Sequence, residues 1–348
     1  PQQIPHQQIQ LRDLLGKGAF AEVRKGLWCG TWVAVKLLTQ KRLYPRKNQN
    51  EKTIFEKEIA ILLQVRHPNI LQFFGYSVFP EYPFALVTEF MARGTLQNYI
   101  REEWVVSEEY RFAWAKDIAS GMEYLHGKNI IHRDLSSVNV LLSDDFTAKI
   151  ADFGLSREYA GEGGRGERGK REGGEREEPM TMAIGSLPWL APESFLGEKY
   201  THKVDVYSFG VCVYELLTGR DPYWEIPSMM NYAQKVAREH YRPPFIPLDP
   251  LSTLSPASSF PSSFASSSVP SLFPPWEVLG IEKEKFKMWE NLIKKCWDSD
   301  PDVRYEFSEI VQHLTPASSS PPSLSSSGDI RGRKEGEEGD ERAKGTYM

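Results

Sequence analysis

The chain has 348 residues, 40% hydrophobic and 26% charged, with 9 Trp, 15 Tyr and 18 Phe, enough apolar material for the cores of about two domains. A formal net charge of −5 excludes a nucleic-acid partner held by bulk positive charge, and no run of about 18 apolar residues reads as a membrane span. Cys29, Cys212 and Cys296 lie far apart without a CxxC, which excludes a zinc ribbon, a disulfide scaffold and a thioredoxin-type site and fits a reducing, cytoplasmic setting.

From Ile9 to Glu89 the pattern is short and strand-like, with β-branched and aromatic runs such as Thr31-Trp32-Val33-Ala34-Val35. One helix interrupts it, marked by Phe55, Ile59, Leu62 and Leu63 before a turn at His67-Pro68-Asn69. Helices dominate from about Leu96. Phe112, Ala115, Ile118, Met122 and Leu125 mark one of them, with Ser107 as its cap and Glu108 and Glu109 in its first turn. A hairpin of Val140 to Leu142 and Ala148 to Ile150 follows, turning at Asp144-Asp145. The expected fold is therefore α+β: a small β-rich lobe over 9–90 with one helix, then a larger helical lobe over 91–314.

Three stretches are expected to stay unfolded. Gly161 to Glu178, within an insertion at about 160–178, holds seven Gly, six Glu and five basic residues and nothing else. It has no apolar group whose burial would offset the entropy of ordering. A second insertion spans about 243–280; within it Leu251 to Pro275 holds ten Ser and five Pro, a linker composition. The tail 315–348 is Ser/Pro-rich and then charged.

The first chemical motif is Leu15-Gly16-Lys17-Gly18-Ala19-Phe20-Ala21-Glu22-Val23. A Walker A loop requires Gly-Lys followed by Ser or Thr, which occurs nowhere. A Rossmann turn requires a helix after it, whereas strand-like sequence lies on both sides. A glycine-rich hairpin over nucleotide phosphates remains, and it demands a lysine on the next strand but one; Val33-Ala34-Val35-Lys36 supplies it.

With Phe55-x-x-Glu58, His132-Arg133-Asp134-Leu135 and Asn139, Asp152-Phe153-Gly154 and Ala191-Pro192-Glu193 in that order, the chain resembles the eukaryotic protein kinases. The resemblance runs from about Ile9 to Leu314 and implies the bilobal kinase fold, ATP and Mg²⁺ as cofactors, and protein substrates. It implies that backbone N–H groups from Gly16 to Ala21 approach phosphates, that Lys36 binds the α- and β-phosphates, and that Glu58 holds Lys36. Asn139 and Asp152 would hold Mg²⁺, and Asp134 would orient the acceptor hydroxyl and take its proton. Val23 and Ala34 would lie above the adenine and Leu141 below it. Backbone groups of Glu89 and Met91 would read its edge, with Thr88 as gatekeeper. His132, Phe153, Leu62 and Phe73 resemble the family's hydrophobic spine.

Val23-x-Lys25-Gly26-x-Trp28-x-Gly30, Asp205-Val206-Tyr207-Ser208-Phe209-Gly210 and Leu217-Thr218-Gly219-Arg220 resemble the tyrosine-kinase-like group. Most of its members phosphorylate Ser and Thr, and Ser186 within Gly185 to Glu193 fits such an acceptor. Ser136 departs from the pattern, standing where Ser/Thr kinases carry Lys. Such a loss of one electrostatic stabiliser costs roughly 10²–10³ in rate. The tyrosine-kinase arginines are missing too, with Ser136 and Val138 in their places, so tyrosine or dual specificity and a pseudokinase scaffold stay open. Ala21 replaces the third glycine, and Tyr305 replaces the proline after Arg304. The segment from Asp152 through Glu193 is long, 42 residues. Arg133 is expected to pair with a phosphate on that segment, with Thr181 the first candidate ahead of Thr147, Tyr159 and Ser186. Arg304 is expected to pair with Glu193.

Overall fold

The structure is a computed structural model that describes residues 2–18, 21–38, 54–103, 106–158, 187–197, 200–226, 229–245 and 280–315. The Gly/Glu/Arg insertion, positions 246–279 of the Ser/Pro stretch, the tail from 316, and Ala19, Phe20, Tyr159, Thr181 and Ser186 lie outside the described residues.

Five antiparallel strands form the small lobe: β1 (Ile9–Lys17), β2 (Ala21–Trp28), β3 (Thr31–Leu38), β4 (Phe73–Ser77) and β5 (Phe84–Glu89), in the order β1-β2-β3-β5-β4. The period-2 alternation of β3 divides its side chains between two faces. Val33, Val35 and Leu37 pack with Ile9, Ala85 and Val87 in an outer core. Ala34 faces the opposite way and packs with Leu15, Met91, Leu141 and Ala151, and Lys36 shares that face. Helix α1 (Ile54–Leu62) packs inside the lobe through Ile59 and Leu62. Leu63, assigned to the same stripe from its spacing, lies past the helix end and is exposed.

The larger lobe contains α2 (Leu96–Glu103), α3 (Glu108–Gly127), α4 (Pro192–Leu196), α5 (Lys203–Thr218), α6 (Met229–Arg238), α7 (Lys283–Cys296) and α8 (Phe307–His313). Ser107 caps α3 by accepting from the Tyr110 N–H, with Glu108 and Glu109 in the first turn as expected. Its buried stripe includes Ala115, Ile118, Met122 and Leu125. A Cβ at Gly121 would come within 2.8 Å of Ile150 Cδ1 and 2.9 Å of the Asn69 carbonyl oxygen, so only glycine lets α3 lie this close to the strands beside it. The short strands are β6 (Ile130–Ile131), β7 (Val140–Leu142), β8 (Ala148–Ile150) and β9 (Arg157–Glu158), paired β6–β9 and β7–β8. The β7–β8 hairpin has the bounds read from the sequence.

Helix α5 is the axis of this lobe. Every residue from Val204 to Thr218 is buried, as a helix with an apolar run all round demands. It ends at Gly219, in the left-handed region at φ 69°, whose N–H donates to the Glu215 carbonyl. Arg304 and Glu193 form the expected buried pair, bidentate at 2.7 and 2.9 Å. Among the described residues no helix is long and apolar enough to cross a membrane.

Candidate active site

A cleft opens between the lobes. The roof comes from β1 to β3. Gly16 pairs with Val23 across the first hairpin, and the Gly18 N–H donates to the Ala21 carbonyl at 2.8 Å. Val23, Ala34 and Thr88 line the cleft from the small lobe, and Val138, Leu141 and Ala151 line it from the large one. Leu15 and Met91 belong to the same apolar cluster. A flat apolar group fits between these walls.

Lys36, Glu58, Asn139 and Asp152 line the same cleft, with Asp134 bonded to Asn139. Lys36 Nζ lies 2.8 Å from Asp152 Oδ1 and 3.4 Å from Glu58 Oε1. Glu58 is 3% exposed, so α1 does turn it inward rather than leave it as a surface charge. Asn139 Nδ2 donates to the Asp134 carbonyl at 2.7 Å and to Asp134 Oδ2 at 2.9 Å, which leaves the amide oxygen as its acceptor. The β7–β8 hairpin spaces Asn139 and Asp152, since the Ala151 N–H donates to the Asn139 carbonyl at 2.8 Å.

Backbone strain marks the same place. Arg133 and Asp152 have φ of 69° and 58°, a region that costs a non-glycine residue of order 1 kcal/mol. Asp205, fully buried at the start of α5, accepts from the His132 and Arg133 N–H groups, both at 2.8 Å, and meets His126 Nε2 at 2.9 Å. Burial pushes its pKa up, but these donors outweigh it and hold the carboxyl below its usual range. The strained turn before Asp134 is thus fixed from below. His132 Nε2 sits 3.1 Å from the Ala151 carbonyl, and its ring meets Phe153 edge-on at 5.2 Å. Leu62 is buried and Phe73 half-buried, as the spine assignment expects.

Some expected residues are not on the cleft wall. The Glu22 carboxylate turns to Arg24 at 2.8 Å; burial raises its pKa, yet hydrogen bonds from Arg24 and Tyr82 prevail and lower it. Lys17 is exposed. The Glu89 N–H donates to the Gln72 carbonyl, and its carboxylate pairs with Lys149 at 2.7 Å. Leu71, Ala151 and Lys149 went unnoticed in the sequence, and Val138 was named there only for the arginine it replaces, not as a wall of the cleft. Val138 and Ala151 were findable as the neighbours of Asn139 and Asp152, whereas Leu71 and Lys149 carry no local signal.

A family model described as protein tyrosine and serine/threonine kinase matches residues 9–250. The chain belongs to this kinase family. Its relatives include the dual specificity protein kinase splA of Dictyostelium discoideum, 33% identical over 90% of this chain and 12% of the relative. The seven transmembrane domain-containing tyrosine-protein kinase 1 of the same organism is 35% identical over 89% of this chain and 38% of its own length. The serine/threonine-protein kinase STY46 of Arabidopsis thaliana is 31% identical over 86% of this chain and 42% of its own. The chain thus spans less than half the length of each. The fold is the α+β bilobal kinase fold, and the relatives agree with a tyrosine-kinase-like domain.

Proposed function

We propose that this kinase domain transfers the γ-phosphoryl of Mg-ATP to Ser and Thr hydroxyls of proteins, in a cytoplasmic setting, with lobes bounded at 9–90 and 91–314. The observation that carries this is the convergence of Lys36, Glu58 and Asp152 beside the bonded pair Asn139–Asp134, at the end of an apolar slot. Phosphoryl transfer asks for positioning and charge neutralisation more than for covalent chemistry. Val23, Ala34 and Leu141 would sandwich adenine, with Leu15 beside them, and backbone groups of Glu89 and Met91 would bind its edge next to Thr88. The hairpin from Leu15 to Val23 would cover the phosphates, its glycines allowing close approach of N–H groups.

The donor set fits Mg²⁺. The Asp152 carboxylate and the Asn139 amide oxygen are hard ligands, and Mg²⁺ takes one or two such groups along with phosphate oxygens rather than an all-protein cage. When bound it supplies positive charge against the β- and γ-phosphates. Lys36, steadied by Glu58, offers an ammonium to the α- and β-phosphates. Asp134, fixed by Asn139 and by the turn over Asp205, orients the acceptor hydroxyl and takes its proton.

Regulation by a phosphate on the activation segment is part of this reading. Arg133 is buried, and its Nε has no hydrogen-bond partner among the described residues. Burial, assisted by the like charge of Arg157, pulls its pKa below the usual range, so an incoming phosphate would relieve a poorly neutralised cation. Dual specificity is the second reading. Ser136 supplies neither the lysine of Ser/Thr kinases nor an arginine of tyrosine kinases, and the relative splA is named a dual specificity kinase.

Incubation with γ-labelled ATP and Mg²⁺, followed by phosphoamino-acid analysis, tests both. We expect labelled serine and threonine, no label in Lys36→Met, and lower activity in Thr181→Ala. Label on tyrosine alone would overturn the Ser/Thr reading, and equal activity of Thr181→Ala would reject that residue as the switch.

A further inference from the structure

Strand β1 changes faces part-way along. Ile9 and Leu11 pack in the outer core with Val33, Val35 and Leu37. Leu15 is an even number of residues from both, yet it packs in the slot with Ala34, Met91 and Leu141. Side chains two apart on a regular strand stay on one face, so β1 must gain a residue between Leu11 and Leu15. It does. Leu11 pairs with Gly26 but Leu14 pairs with Arg24, and a second shift lies between Leu14 and Gly16. These bulges turn Leu15 to the slot and bend the strand that leads into the glycine hairpin.

The extra residue of a bulge drops out of the ladder, and its backbone groups need other partners. Arg12 lies inside the first bulge. The Arg24 guanidinium, across on β2, donates from Nη1 to the Arg12 carbonyl at 3.4 Å. The same guanidinium donates from Nε to Glu22 Oε1 at 2.8 Å. Lys17, opposite Glu22 in register, adds its charge to that carboxylate. Tyr82, in the turn between β4 and β5, reaches it from the far side of the sheet. Arg24 is thus braced at one end and grips the bulge at the other.

We infer that Arg24 is a positioning residue for the nucleotide: held by Glu22, it fixes the β1 bulge from outside the cleft and so aims Leu15 and the glycine hairpin inside it. This rests on the nucleotide-binding reading. The sequence explains why such a brace is needed. Leu14 and Leu15 are the same residue type, so hydrophobicity does not decide which of them faces the slot, and a slip of one residue exchanges them. In the observed register Leu14 is 44% exposed and Leu15 4%. A slip would also carry Gly16 and Gly18 about 3.3 Å along the strand, whereas a misplacement of about 1 Å already costs on the order of 10²-fold in rate.

The pair acts through geometry more than through stability. The Arg24 side chain is 36% exposed and that of Glu22 11%, and an ion pair so open to water adds little to folding. A planar guanidinium with donors fixed in one fork, however, sets the distance between a carboxylate on β2 and a carbonyl on β1. Arg12, Glu22 and Arg24 are not among the residues that line the cleft. Their effect on the nucleotide therefore passes through the strand.

The test compares wild type, Arg24→Ala, Glu22→Ala, the double variant and Arg12→Ala in the full chain. ATP is titrated with Mg²⁺, steady-state kinetics use a random peptide library with a central serine, and hydrogen exchange is read over 11–18. Arg24→Ala should weaken ATP binding and raise the KM for ATP by about 5-fold or more. The peptide KM should stay within about 2-fold of wild type, with the urea midpoint little changed. Exchange over 11–18 should quicken. Glu22→Ala should act in the same direction, and the double variant should be no worse than Arg24→Ala, since both work through one guanidinium. Arg12→Ala keeps the gripped carbonyl and should match wild type. Equal ATP affinity and exchange in Arg24→Ala and wild type would overturn the inference, as would losses that add in full in the double variant. An equal loss toward ATP and peptide would also overturn it, since that marks general loosening, and so would an Arg12→Ala as impaired as Arg24→Ala. A wild type that binds no ATP would defeat the nucleotide-binding reading, and the exchange data would still decide whether Arg24 holds the bulge.

Discussion

Ser136 follows Asp134 by two positions, and its side chain is fully buried with a hydroxyl that has no hydrogen-bond partner among the described residues. An unpaired hydroxyl taken out of water costs about 1–3 kcal/mol. Ser136→Ala is therefore expected to raise the unfolding free energy by about 1 kcal/mol in a urea titration, with the transfer rate unchanged. A fall in rate would show instead that the hydroxyl stands in for the missing lysine. Individual residue identities were legible at this scale because Lys36, Glu58, Asp134, Asn139 and Asp152 occupy fixed spacings around glycine-rich and apolar landmarks. Their partners were less so. Lys36 lies nearer to Asp152 than to Glu58, a matter of how α1 and the β7–β8 hairpin sit against the sheet. Glu22 and Glu89 were named from positions in motifs, yet their carboxylates answer to Arg24 and Lys149, which sequence spacing does not bring to mind.

The elements divide by how much of their structure is local. The strand alternation of β3, the capped start of α3 and the tight hairpin β7–β8 follow from periodicity and turn residues alone, and they stand where they were expected. Helix α5 owes its place to burial on every side, and its Asp205 carboxyl reveals its purpose only through partners far along the chain. Asp205 accepts two backbone N–H groups and meets one imidazole. An asparagine there keeps one acceptor and turns an amide toward a second donor. Asp205→Asn should cost about 2–4 kcal/mol in denaturant unfolding and lower the transfer rate as the strained turn at Arg133 relaxes. Unchanged stability would mean that the turn is held from elsewhere.

For the molecule as a whole, pH becomes a handle on stability. Burial in α5 pushes the Glu215 carboxyl up to about 8 when folded, against an ordinary value of 4.5. Below pH 4.5 both folded and unfolded chains hold its proton. Above that, the unfolded chain releases it while the folded one keeps it, so this contribution to stability declines with rising pH and is gone above about 8. Glu215→Gln lacks the decline, and its stability relative to wild type should climb between pH 5 and pH 8; a constant difference would mean that the carboxyl is not buried as described. The bilobal plan itself was readable from the change of pattern near residue 90 and from the order of the motifs. The meeting of lobes was not, since the slot wall joins Ala34 to Leu141 and Ala151 across a distance in sequence that no local pattern spans. The central claim is that the cleft binds nucleotide through Lys36 and a cation held by Asn139 and Asp152. The most direct measurement is titration of ATP into wild type and Asp152→Asn, each with Mg²⁺ and with a chelator. Wild type should bind about 10-fold or more tightly with Mg²⁺ and the variant should show little difference, whereas equal affinity of wild type with and without the cation would contradict the account.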